Sequence, residues 1–218
     1  LVAEPKVILF DEPLSNLDAK LRESTRQELR HFLTELTISA IYVTHDQMEA
    51  LTISDEIAVM RGGSIVERGT PQDIYLRSNN KFVVDFIGRA NFLKATITGY
   101  KDDSHAIVVC PMGSIVCSAP SNLSVGTEVT IYTRPESFEL APDSPASPAP
   151  ADPASENVFE GTITGLLFAG EAHEAQVSVG GATILVRIKS HRQLRKGDRV
   201  RLRIDREWCR ALNPAEEA

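Results

Sequence analysis

Asp11 and Glu12 stand side by side at the end of the apolar run Val7-Ile8-Leu9-Phe10, and His45 closes the similar run Ala40-Ile41-Tyr42-Val43-Thr44. Two carboxylates and an imidazole are suited to taking a proton from water beside a divalent cation. Asp11 offers the hard oxygens that Mg²⁺ takes, Glu12 can serve as a general base, and His45 can donate to a phosphate oxygen. Each feature alone has a plain reading: an acidic strand end reaches solvent, and a lone His after a strand is structural or caps a helix. The order of the segments joins them.

A short apolar run bounded by turn signals predicts a strand of a parallel sheet, covered on both faces. After it come Ser15-Asn16-Leu17-Asp18, a helix-compatible segment from Ala19 to Leu36, and the second run. In a βαβ unit the two strands lie parallel, so Glu12 and His45 leave the same sheet edge, where open α/β sheets place their ligands. The helix carries Leu21, Leu29, Phe32, Leu33 and Leu36 at helical spacing, which predicts a core stripe, with Lys20, Arg22, Glu23, Arg26, Gln27 and Arg30 outward. Further on, Ile57–Met60 and Ser64–Arg68 flank Arg61-Gly62-Gly63, a hairpin signal. Thr70-Pro71-Gln72-Asp73 reads as an N-cap followed by Pro at the first helical position, and a last short helix runs from Asn80 to Ile87 and ends at Gly88.

With these pieces in place, residues 1 to about 90 resemble the second half of an ABC transporter ATP-binding subunit. LFDEPLSNLDAKLR resembles the Walker B and D-loop segment, YVTHDQMEAL the switch-histidine segment, and DEIAVMRGGSIVERGTPQDIY the hairpin and helix that close the ATPase domain. The resemblance implies that Asp11 positions Mg²⁺ through water, Glu12 polarises the attacking water and His45 contacts the γ-phosphate. It implies too that Ser15, Asn16, Leu17 and Asp18 flank the nucleotide and that Asp18 reports across a dimer interface. This suits phosphoryl transfer, which needs positioning and charge neutralisation more than covalent chemistry.

The chain contains no G-x-x-x-x-G-K-[ST] loop to cradle phosphates and no LSGGQ-like signature, and it opens at Leu1-Val2-Ala3-Glu4-Pro5. It therefore reads as a C-terminal fragment that neither binds nor hydrolyses ATP by itself. Its 218 residues allow one large or two small domains, with 42% hydrophobic content for their cores. No run approaches the roughly 18 apolar residues of a membrane span. Cys110, Cys117 and Cys209 have no metal spacing and their odd number argues against a disulfide framework. The net charge of −7 argues against a nucleic-acid surface.

From Asn91 the helical period gives way to short β-rich runs and an internal repeat. Thr96-Ile97-Thr98-Gly99 recurs as Thr162-Ile163-Thr164-Gly165, Gly113-Ser114-Ile115-Val116 is echoed by Gly181-Ala182-Thr183-Ile184, and Leu123-x-x-Gly126-x-x-Val129 by Leu194-x-x-Gly197-x-x-Val200. Each half is too small to bury a core alone, so the two are expected to close one OB-like barrel. This part, with Thr133-Arg134-Pro135-Glu136, resembles the TOBE region of maltose, polyamine, iron and sulfate importers. Between the halves, residues 141–156 hold five prolines and read as an exposed linker. The expected fold is thus α/β, a partial P-loop NTPase sheet over 1–90, followed by an all-β OB-like regulatory domain of two half repeats over 91–218.

The function implied is that of an ATP-hydrolysing subunit of a membrane importer, peripheral on the cytoplasmic face of the plasma (inner) membrane. It would use ATP and Mg²⁺, work as a homodimer with transmembrane permease subunits and, through them, a solute-binding protein, and bind no nucleic acid. Uncovered sheet edges in residues 1–90 point to a homodimer as well. A second reading, from a different class, makes the TOBE-like part a small-ligand, oxyanion-binding or dimerisation module, with Gly180-Gly181 as a candidate anion nest; against it, a Gly turn is more often only a turn, and Arg134 and Glu136 read as an intradomain or intersubunit ion pair. A third, a soluble ABC-type ATPase of repair or translation, fits poorly with the importer-like C-terminal part and the acidic charge.

Overall fold

The computed structural model describes residues 5–36, 38–141 and 156–213. The chain divides into two compact units between Ser78 and Asn79. The linker expected over 141–156 and the opening residues 1–4 lie, except for Ala141 and the backbone of Glu156, outside the described residues. Among the described residues no helix is long and apolar enough to cross a membrane.

In the first unit, β1 (Val7–Asp11) and β2 (Ser39–Val43) pair in parallel, from Val7 opposite Ser39 to Asp11 opposite Val43. Helix α1 (Ala19–Leu36) connects them, with the bounds expected from the sequence. Helix α2 (Gln47–Ile53), the hairpin of β3 (Ile57–Arg61) and β4 (Ser64–Gly69), and α3 (Pro71–Leu76) follow. The hairpin turns through Gly62 and Gly63, both at positive φ (58° and 83°), which is the tight turn whose twist matches a two-stranded ribbon. The Thr70 hydroxyl caps α3 by accepting from the Asp73 N–H.

Two expectations for this unit are corrected. The strand β1 is not covered on both faces: Val7 and Leu9 are 52% and 67% exposed, and Ile41 and Val43 on β2 are 57% and 47% exposed. A two-stranded ribbon is too narrow to bury both of its faces. The other face is half-buried and carries the tilted contact of the Phe10 and Tyr42 rings, with centroids 5.9 Å apart. The leucine stripe of α1 is only in part its inner face. Leu21 and Phe32 are 48% and 47% exposed, while Arg22, Arg26 and Arg30 are half-buried beside Leu29 and Leu33. The reason is chemical: Arg30 donates to the carbonyl of Ile53 and to Asp55, both at 2.6 Å, and long stems cover apolar surface while their heads find acceptors.

The second unit begins with α4 (Lys81–Ile87), capped by the Asn80 side chain. Among the described residues ten strands follow: β5 (Asn91–Asp102), β6 (His105–Cys110), β7 (Gly113–Ser118), β8 (Glu128–Thr133), β9 (Glu139–Leu140), β10 (Glu156–Phe168), β11 (Ala172–Val179), β12 (Ala182–Lys189), β13 (Arg199–Asp205) and β14 (Cys209–Leu212). The two halves do not close one shared barrel. The first forms a closed barrel in the order β14-β7-β6-β5-β8, and the second a five-stranded sheet in the order β12-β11-β10-β13-β9. Each lends the other a strand: β14 of the second half closes the first barrel on β8, and β9 of the first half pairs with β13. A single cluster of buried residues then runs through both, from Ile97, Val108 and Ile131 to Ile163, Ile184 and Leu202. Sharing a core solves the small-domain problem that each half would face alone.

The repeat is also locked by matching side chains. The Asn91 carboxamide accepts from the Leu185 N–H at 2.7 Å and donates to the Leu185 carbonyl at 2.9 Å. In the other direction, Asn157 accepts from the Val116 N–H at 2.8 Å and donates to its carbonyl at 2.9 Å. Each half thus satisfies exposed backbone groups of the other. Arg134, only 3% exposed, donates to the carbonyls of Val84, Gly88 and Arg89 at 2.9, 2.8 and 3.1 Å, which fixes the C-terminal end of α4. The three cysteines are free and buried.

Candidate functional site

The parallel register sets Asp11 beside Val43, so the next residues of both strands leave the sheet together. The Glu12 N–H extends the ladder by donating to the Val43 carbonyl at 2.9 Å. The chain then bends sharply, with Glu12 at φ 46°, the one non-glycine residue at positive φ among the described residues. That left-handed conformation carries strain of about 1–2 kcal/mol for a residue with a Cβ. It is held by Ser15, whose hydroxyl and N–H donate to the Glu12 carbonyl at 2.9 and 3.3 Å, and by Leu14, which is 4% exposed and buried beneath the turn.

The bend turns the Glu12 side chain toward β2. Its Oε1 accepts from the Nδ1 of His45 at 2.9 Å. The carboxylate holds the imidazole above its ordinary pKa, first by this hydrogen bond and then by its charge. Protonated, His45 keeps Nδ1 on Glu12 and has Nε2–H left to donate. Glu12 in turn has Oε2 left for a water. Among the described residues no side chain binds the Asp11 carboxylate, which stands exposed at the strand end.

Behind this pair lies a small cleft of about 30 Å³ that Glu12, Ser15 and His45 share with Arg22, Thr44 and Asp46. Asp46 caps α2, accepting from the N–H groups of Met48 and Glu49 at 2.8 and 3.2 Å. Asp18 does the same for α1, accepting from the Leu21 N–H at 2.9 Å. Arg22 spans the two turns, donating to the Leu17 carbonyl at 2.9 Å and facing Asp46 at 3.5 Å. The structure therefore brings Glu12 and His45 together, sets Ser15 against the Glu12 carbonyl, and uses Asp18 as a helix cap.

Sequence reasoning missed the residues that support His45. Glu49 is 2% exposed and its Oε2 accepts from the hydroxyls of Tyr42 and Thr44 at 2.9 and 2.7 Å. Burial, and after it the hydrogen bond to Glu49, pushes the Tyr42 phenol well above its ordinary range. The spacing Asp46-x-x-Glu49 was the available signal, since it matches a capping box. Arg22, outward by its charge, is half-buried because Leu17 and Asp46 give its head acceptors.

In the second unit His105 lies between Asp102 and Glu207, each 2.7 Å from a ring nitrogen, but it is 7% exposed and ties two strand ends together. Gly181, a candidate for an anion nest, already donates its N–H to the Pro111 carbonyl at 2.9 Å. Among the described residues no three His, Cys, Asp or Glu side chains gather as an all-protein metal site.

Residues 131–212 match the family model of the TOBE domain. The chain is similar to the spermidine/putrescine import ATP-binding protein PotA of Pseudomonas fluorescens, 39% identical over 186 residues that make up 85% of this chain and 47% of that protein. It is similar to the Fe(3+) ions import ATP-binding protein FbpC 1 of Pectobacterium atrosepticum, 34% identical over 206 residues, 94% of this chain and 53% of that protein. A third likeness is to PotA of Mesorhizobium japonicum, 34% identical over 217 residues, 97% of this chain and 56% of that protein. The chain spans about half the length of the curated relatives it matches. Among solved structures it resembles the molybdate-bound cytoplasmic molybdate-binding protein ModG, with a TM-score of 0.50 and 16% identity over 57% of this chain and 96% of that one. At that identity the likeness is one of fold: a mostly β architecture of OB-like barrels.

Proposed function

We propose that this chain is part of the ATP-hydrolysing subunit of a membrane ABC importer, with residues 1–90 belonging to its P-loop ATPase domain and 91–218 forming the TOBE regulatory domain. The observation that carries the reading is the contact of Glu12 with His45 at the ends of two paired parallel strands, taken with relatives named as import ATP-binding proteins.

In this reading Glu12 takes the proton of the attacking water. The free oxygen of its carboxylate is the acceptor, and the strained bend at φ 46° aims it off the strand axis. His45 donates from Nε2 to the γ-phosphate, and the imidazolium form favoured by Glu12 is the one that can do so while keeping its bond to the carboxylate. Ser15, Asn16, Leu17 and Asp18 flank the nucleotide, and Asp18 lies at the contact with a second ATPase subunit. The free, exposed Asp11 carboxylate fits Mg²⁺, which keeps most of its waters and takes one or two carboxylates plus substrate phosphates. When bound, the ion supplies charge neutralisation to the phosphates.

The partners of such a subunit are its own copy, transmembrane permease subunits and, through them, a solute-binding protein. Its place is the cytoplasmic face of the inner membrane. The phosphate-cradling loop is not in this sequence, so the present chain alone is expected to be inactive. The test is Mg-ATP hydrolysis by the longer protein, of the length its relatives have, reconstituted with its permease. Hydrolysis that depends on the permease and rises with solute-loaded binding protein supports the proposal. Absence of hydrolysis by a folded, correctly assembled complex overturns it.

A further inference from the structure

His45 is 73% exposed at its side chain, and an exposed ion pair by itself gains too little to hold two side chains in one geometry. Something other than its own packing must fix it. Its backbone neighbours supply the restraint. The Thr44 hydroxyl accepts from the Asp46 N–H at 2.9 Å, so one side chain spans the peptide units on both sides of His45. That same hydroxyl donates to Glu49 Oε2 at 2.7 Å, and the Tyr42 phenol donates to the same oxygen at 2.9 Å. Glu49 is buried, at 2% exposure, on the first turns of α2, whose capping residue is Asp46.

From this arrangement we propose that Glu49 is a positioning residue for His45: one buried carboxylate oxygen gathers the Tyr42 and Thr44 hydroxyls and so freezes the turn that presents the imidazole to Glu12. The inference rests on the ATPase reading for its functional meaning, but the geometry it asserts does not need a nucleotide. The spacing that suggests a capping box is used differently here. Glu49 does not close on the Asp46 N–H; Thr44 takes that donor, and Glu49 anchors Thr44. Charged groups on every neighbouring element face the same space: Glu12 after β1, Arg22 on α1, and Asp46 and Glu49 on α2.

The test is the titration of the His45 ring followed by NMR in the present chain. In the wild type its midpoint lies above that of an ordinary imidazole, because Glu12 is held against it. Thr44→Val keeps every charge but removes the link, and it is expected to lower the midpoint toward the ordinary value. Glu49→Ala is expected to do the same. Glu49→Gln, whose amide oxygen can still accept from both hydroxyls, is expected to keep most of the elevation. An unchanged midpoint in folded Thr44→Val overturns the proposal, as does an equal fall in Glu49→Gln and Glu49→Ala, which would make the effect one of charge alone. In the longer protein the positioning role predicts a fall in kcat with KM for ATP little changed in Thr44→Val. A protein without ATPase activity would remove the functional reading and leave the titration result standing.

Discussion

The carboxylate of Glu12 lies 2.9 Å from the Nδ1 of His45, thirty-three residues away in sequence. The contact exists because β1 and β2 are parallel and in register to their last pair, and because the chain leaves β1 through a left-handed bend. It predicts an elevated His45 pKa that Glu12 sustains. Replacing Glu12 with Gln should lower the His45 midpoint, read by NMR. The sign for stability follows from the raised folded value: the pair contributes fully below the unfolded imidazole pKa and loses that contribution as pH rises through the folded one. Because the site is exposed, the change in unfolding midpoint should be small even where the ring titration moves clearly.

Asn157 and Asn91 predict a symmetric pair of stability losses. Each carboxamide satisfies one N–H and one carbonyl on the opposite repeat. Asn157→Ala leaves the two groups of Val116 without their partner and should cost on the order of 3 kcal/mol in urea unfolding. Asn91→Ala should cost a similar amount by losing Leu185. A loss below about 0.5 kcal/mol at both positions would mean the two halves are held by apolar packing alone.

Gly180 has φ +56° and a methyl group added there would run into the Pro111 carbonyl. Gly180→Ala should therefore destabilise the second unit by about 2 kcal/mol or more. Gly170, at φ +71° with open space around it, should lose less on the same change, because only the backbone term remains. Comparing the two variants by thermal unfolding separates strain from collision.

His105 predicts an acid-side effect. It is 7% exposed, and its two ring nitrogens lie 2.7 Å from Asp102 and 2.7 Å from Glu207, tying the tip of the β5–β6 hairpin to the segment just before β14. The Asp102 carboxyl is held below its usual range, first by the Ser104 N–H and then by His105. Its contribution is present above the unfolded carboxyl pKa and fades as pH falls through the lower folded value. His105→Gln should move the Asp102 midpoint up only part of the way, since Ser104 still donates, and should lower stability at neutral pH by loosening β14. NMR of the Asp102 carboxyl and urea unfolding at pH 7 measure the two effects.

The local elements were readable from the sequence where local chemistry decides them. Arg61-Gly62-Gly63 specifies its turn, Thr70-Pro71 opens α3, and the bounds of α1 were given by its flanking turn residues. The inner face of α1 was not readable, because the partners of Arg22 and Arg30 are on α2 and the turns around it. The repeat was visible in Thr96-Ile97-Thr98-Gly99 and its copy, but the reciprocal loan of β9 and β14 was not. Those strands are two and four residues long, too short for a periodic signal, and their pairing is decided by distant neighbours. At the site, the strand ends pointed to Glu12 and His45 meeting. The buried Glu49 behind them had only its spacing from Asp46 as a signal, since a polar residue on a short helix otherwise reads as surface.

The most direct test of the central claim is the steady-state ATPase rate, assayed with a permease, of a protein of the relatives' full length that contains this chain with Glu12→Gln. Removing a general base predicts a loss of about 10² or more in kcat with ATP still bound. A rate equal to the wild type, in protein that folds and binds ATP, would contradict the assignment of Glu12 as the residue that activates water.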